Sequence, residues 1–126
     1  MSSAEHGTRA RRVAEAIRVE LSTLLVAGDV KDPGAAGAIV TRVEISADLR
    51  SARVNVRLLD GGSDAERRRT VVDALGRASG MLRRELAHRL RLRHAPELRF
   101  FFDDGLEGTM RVEQILAEIE AERSRR

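Results

Sequence analysis

From Thr8 onward apolar residues recur at Val13, Ile17, Leu21, Leu24 and Leu25, the three-and-four spacing of one helix face. The pattern stops near Gly28, and the stretch DVKDPGAAGA after it reads as a flexible loop. The period then changes to two. IVTRVEIS sets Ile39, Thr41, Val43 and Ile45 on one face against Arg42 and Glu44, and SARVNVRL sets Ala52, Val54, Val56 and Leu58 inward. These predict two half-buried antiparallel strands joined through ADLR. DGGSD marks a turn in which Ser63 or Asp64 caps a second helix carrying Val71, Val72 and Leu75. Leu82, Leu86 and Leu90 at four-residue spacing predict a third helix, ended by HAP. LRFFF supplies a third strand with Leu98, Phe100 and Phe102 on one face, and Val112, Ile115, Leu116 and Ile119 a short closing helix with an acidic outer face.

The order α-β-β-α-α-β-α predicts an α+β fold, a three-stranded sheet with helices packed on one face. One domain over residues 8–120 is expected, with a disordered N-terminal tail at 1–7 and a short basic C-terminal tail at 121–126. The opening MSSAEHGTRARR leads into a charged amphipathic segment, and no apolar run approaches the roughly 20 residues a membrane helix needs, so a cytoplasmic protein without membrane contact is expected.

Net charge is only +3, but its distribution is uneven. From Arg77 to Arg99 there are seven arginines against Glu85 and Glu97; from Asp103 to Glu122 there are seven acids against Arg111. One face suited to a polyanion and another that repels it is the functional reading, and mutual neutralisation of neighbouring elements is the bland one.

Catalytic signals are absent. His6, His88 and His94 have no metal-ligand spacing, and without cysteine there is no thiol chemistry or thiolate site. Asp103 and Asp104 are adjacent and diverge on a strand end. Ser79 has no base and orienting acid near it in sequence, and DGGSD lacks the lysine of a phosphate-cradling loop. A non-enzyme without cofactor or metal is expected.

The chemistry concentrates in GRASGMLRREL, where a glycine interrupts a helical pattern among arginines. On a helix resuming at Gly80, Arg84, His88 and Arg91 fall on one face, roughly opposite Leu82, Leu86 and Leu90. Arg77 and Arg83 flank the break, and Arg89 and Arg93 extend the charge. A helix restarted here offers N–H groups to a phosphate, and glycine allows close approach of a strand. The candidate nucleic-acid-binding residues are Arg77, Ala78, Ser79, Gly80, Arg83, Arg84, His88, Arg91 and Arg93, with Arg9, Arg11 and Arg12 of the first helix; the alternative, which charge alone leaves open, is a solvated face with a helix bend. Phe101 points away from Phe100 and Phe102, beside Arg99. One outward ring is a thin platform for base stacking, so arginine–phosphate contacts are favoured.

A β-β-α-break-α-β core preceded by a helix resembles the type II KH fold. KH domains join the two helices with a G-x-x-G loop, whereas here three residues separate Gly76 from Gly80 and Ala78-Ser79-Gly80 stands in its place. That Ala-x-Gly kink, with RVAEAIRVELSTLL, VTRVEISADLRSARVNV, ASGMLRRELAHRLRLRHAPELRF and DDGLEGTMRVEQIL, is similar to the ribosome-binding factor A family, from about Arg11 to Ile119. The resemblance implies a KH-like, non-catalytic ribosome biogenesis factor. Such a factor binds the immature 30S subunit and its 16S rRNA late in maturation, assists 5′-end processing, matters in cold growth and leaves with help from an assembly GTPase. It carries the kink to Ala78, Ser79 and Gly80 and the basic helix to Arg83, Arg84, His88 and Arg91. The stub AERSRR carries over no function of an extended C-terminal tail, and the missing G-x-x-G argues against four-nucleotide KH gripping. A monomer is expected. The competing readings are a general single-stranded RNA-binding chaperone and a protein-interaction module.

Overall fold

The computed structural model describes the backbone of residues 2–104 and 106–125 and the side chains of 8–104 and 114–125. The chain runs α1 (Ser2–Val26), β1 (Ala38–Ile45), β2 (Ser51–Leu58), α2 (Ala65–Arg77), α3 (Ser79–Arg89), β3 (Glu97–Phe102) and α4 (Leu106–Ser124). β2 is central, antiparallel to β1 and parallel to β3. Parallel neighbours cannot be joined by a tight turn, so α2 and α3 form the crossover between β2 and β3.

The main core lies between the sheet and the first three helices. Ile17, Leu21 and Leu24 of α1, Val71 and Leu75 of α2, and Leu82 and Leu86 of α3 meet Val40, Val54, Val56, Leu98 and Phe100. The leucine spacing read for the third helix therefore faces inward, with Leu82 and Leu86 fully buried and Leu90 partly so. α2 is capped by Asp64, whose carboxylate accepts from the Arg67 N–H at 2.9 Å.

The face assigned to β1 needs correction. Strict alternation groups Ile39, Thr41, Val43 and Ile45, but the pairing slips between Val40 and Arg42, a β-bulge that inserts Thr41 as an extra residue. Parity reverses there. Val40, Val43 and Ile45 pack on the main core, whereas Ile39 joins Ile115, Ile119 and Leu116 of α4 in a second cluster. Helices α1–α3 thus share one core while α4 has its own against β1. Thr41 is fully buried, and its hydroxyl donates to Asp103 at 2.7 Å. Arg18 of α1, 3% exposed, bridges Glu15 and Glu118 and ties α1 to α4. The hydrogen bond it donates to Glu15 does most to hold this guanidinium charged against the burial that opposes it.

Three more expectations change. α1 begins at Ser2, in place of the tail expected for 1–7, because a nucleated helix gains a bond per added residue. α4 runs to Ser124 through Ala, Glu and Arg, good helix formers, so it is neither short nor followed by a tail beginning at Ala121. The side chain of Val112 and the acids Glu107 and Glu113 lie outside the described residues. Finally, the loop after α1 is folded. Pro33–Ala35 form a 3₁₀ turn capped by Asp32, which accepts from the Gly34 N–H at 2.9 Å and pairs with Arg77 at 2.8 Å. Gly34 lies so close to α2 that a Cβ there would meet Ala74 Cβ at 3.0 Å.

The Arg77 hydrogen bond, aided by the Gly34 N–H, lowers the Asp32 pKa below its ordinary value. A lowered folded-state pKa contributes stability that is complete above the unfolded value and lost as pH falls through the folded one. Asp32→Asn is therefore expected to melt below the wild type at pH 7, and the gap to close below the ordinary carboxylate range. Thermal melts across that range measure it.

Candidate nucleic-acid interface

The interruption between α2 and α3 is one residue wide. Ala78 has φ −85° and ψ −3°; its N–H bonds Ala74 and Leu75 carbonyls at 3.1 Å, and its carbonyl accepts from Leu82 at 2.9 Å. α3 starts at Ser79 with no side-chain cap, directly after this single αR residue. Gly80 sits inside the first turn of α3, not at the break, and its φ is not positive. A Cβ on Gly80 would meet nothing nearer than Arg84 Nη1 at 3.8 Å. The fold therefore does not require glycine here.

Beyond this turn Arg84 and His88 are both exposed on α3. Arg91 does not continue their face. α3 ends at Arg89, and Arg91 lies past it with φ 53°, in the left-handed region. The Arg91 N–H reaches His88 O at 3.4 Å and the Leu92 N–H reaches Ala87 O at 2.9 Å. This is the Schellman ending, whose left-handed position is usually glycine. α1 closes the same way with Gly28 at φ 79°, through Gly28 N–H to Leu25 O and Asp29 N–H to Leu24 O. The fold thus places a charged side chain where glycine costs least.

The other candidates divide. Arg77 is paired with Asp32 and so helps seat the 33–35 turn. Arg89 contacts Glu20 at 3.4 Å. Arg83 donates to Ala95 O at 3.1 Å and lines an open groove with Arg9 and Arg93. Arg11 instead lines a different groove, between α1 and the β1 edge with Arg42 and Glu44; Arg12 is exposed. Neither of these two grooves includes Ala78, Ser79 or Gly80.

Two features escape the linear pattern. Arg50 joins the groove of Arg9, Arg83 and Arg93 because β2 and β3 start side by side, with the Glu97 N–H on Arg50 O at 2.8 Å. On the outer face of the sheet the Phe101 ring, 37% exposed, is covered by the Arg53 guanidinium at 3.9 Å, not by Arg99. Arg99 instead pairs with Glu97 at 3.2 Å. Arg53 could be suspected only once β2 was known to lie beside β3. Among the described residues no group of three or more His, Asp or Glu could hold a metal ion, and no helix is long and apolar enough to cross a membrane.

The profile of the family described as Ribosome-binding factor A matches residues 9–116. The chain belongs to that family. A ribosome-binding factor A of Sorangium cellulosum is 50% identical over 111 residues, covering 88% of each protein, and one of Gloeobacter violaceus is 38% identical over 120 residues, covering 94% of this chain and 91% of its own. A solution structure of a Thermotoga maritima protein described as a ribosome binding factor A is similar at TM-score 0.58 and 32% identity, over 80% of this chain and 89% of that one. The crystal structure of ribosome-binding factor A from Thermus thermophilus, at 24% identity and TM-score 0.57, shares the fold over 73% of this chain and 93% of its own.

Two substitutions separate fold from interface in this family member. Gly80→Ala is expected to leave stability unchanged or raise it by up to about 1 kcal/mol, since alanine is the better helix former. It should weaken RNA binding if a strand approaches the start of α3, which urea melts and RNA titration read separately. Arg91→Gly is expected to stabilise the fold by about 0.5–1 kcal/mol by relieving the left-handed strain, offset partly by the freer unfolded chain. Urea denaturation measures it.

Proposed function

We propose that this chain is a non-catalytic ribosome biogenesis factor of the cytoplasm that binds the immature 30S subunit and its 16S rRNA. It acts late in small-subunit maturation, when the rRNA 5′ end is processed, and matters most in cold growth. The observation that carries this reading is family membership over residues 9–116, with relatives named for ribosome binding. The KH-like arrangement supports it: two helices joined at Ala78 cross between parallel strands, and α3 presents the exposed Arg84 and His88.

Binding is by phosphate contact more than by base stacking. Arginine forks match phosphate oxygens, and the one exposed ring, Phe101, is already covered by Arg53. The particle's shape supplies much of the specificity. The factor acts as a monomer, and an assembly GTPase promotes its release.

Gentle isolation of the tagged protein from cold-grown cells, with sequencing of its RNA, is expected to return small-subunit rRNA with unprocessed ends. Arg84→Glu combined with His88→Glu should weaken binding to purified immature subunits about tenfold or more at low salt while leaving the melting temperature nearly unchanged. Scattered mRNA would instead indicate a general RNA chaperone. Nuclease-resistant complexes indifferent to salt would indicate a protein-interaction module.

A further inference from the structure

A second basic surface forms where the start of α1, the β1–β2 turn and the α3–β3 connection meet. It is an open groove of about 600 Å³, lined by Arg9, Arg50, Arg83 and Arg93 against Asp48 and Glu97.

The acids are already engaged. Asp48 accepts from the Ser46 hydroxyl at 2.6 Å and the Arg50 N–H at 3.0 Å, and Glu97 pairs with Arg99. Arg83 is steadied by Ala95 O. Among the described residues, the guanidiniums of Arg9, Arg50 and Arg93 make no ion pair and no hydrogen bond. Elsewhere among the described residues acids take up arginines such as Arg18, Arg67, Arg68 and Arg77 in ion pairs.

Backbone strain marks the same place. Leu49, at φ 61°, and Arg91, at φ 53°, are the non-glycine residues with positive φ among those described. Leu49 lines the groove, and Arg91 immediately precedes Leu92, which also lines it. Left-handed leucine and arginine persist only where surrounding structure holds them, and such positions gather at functional sites.

We propose that this groove holds a stretch of RNA backbone, with Arg9, Arg50 and Arg93 meeting neighbouring phosphates. The proposal rests on the ribosome reading above and adds a contact surface beyond the exposed face of α3. The three guanidiniums are exposed and come from three separate segments. That spread suits a polyanion strand; one small anion would be held by converging, buried donors.

The test titrates the full-length, isotopically labelled protein with a short oligouridylate at low salt, and measures affinity for purified immature small subunits. Amide signals of Leu49, Arg50, Leu92, Arg93 and His94 are expected to shift, and Arg50→Ala with Arg93→Ala to lower subunit affinity about tenfold and flatten its salt dependence, without loss of melting temperature. Shifts confined to residues 79–88 with unchanged affinity of the double variant would overturn the groove and leave the ribosome reading standing. Equal shifts from inorganic phosphate at matched phosphate concentration would also overturn it, as a small-anion site. A wild type that binds neither subunits nor oligouridylate would overturn both readings.

Discussion

The parallel pairing of β2 with β3 is the constraint on which the rest of the structure depends. A parallel neighbour demands a crossover, so α2 and α3 must lie across the sheet, and Leu82 and Leu86 have a face to bury. The same pairing starts β2 and β3 side by side, with the Glu97 N–H on Arg50 O. A residue in the first hairpin is thereby brought beside Arg93 and Arg83. Were β3 to pair elsewhere, these arginines would belong to different surfaces.

The Thr41 bulge is the second organising feature. One extra residue in β1 turns Ile39 away from the main core and gives α4 an apolar seat that strict alternation would not provide. Two polar connections reinforce the arrangement. Asp103, just past β3, accepts from Thr41 and, through its carbonyl, from Arg57; Arg18 spans Glu15 and Glu118. Buried groups of this kind are costly without partners, so satisfying them specifies where α4 sits.

Charge is divided between structure and solvent. Arg77, which looks like a flank of the binding surface, anchors the 33–35 turn through Asp32, and Arg57 is buried against Asp103. Arg84 on α3 and Arg50 and Arg93 in the groove are exposed, and among the described residues their guanidiniums make no ion pair. A run of arginine in a sequence therefore overstates the area of an interface. Acids distant in the chain remove some members from it.

Periodicity and turn chemistry were enough, by themselves, to determine that these residues form helices and strands. Leu82 and Leu86 declare a buried face, Gly28 a helix end and Asp64 a cap, because each signal is local and lies within a few residues of its effect. The ribosome-binding factor A family was legible too, since its patterns are stretches of contiguous sequence. Only the tertiary structure decided what depends on distant partners or on broken periodicity. The bulge at Thr41 reverses a parity that alternation assumes, and Arg91 leaves the α3 face because a Schellman turn ends the helix at Arg89 without the glycine that would announce it. Arg50 and Arg9 meet Arg93 through strand pairing and helix packing, which no spacing along the chain encodes.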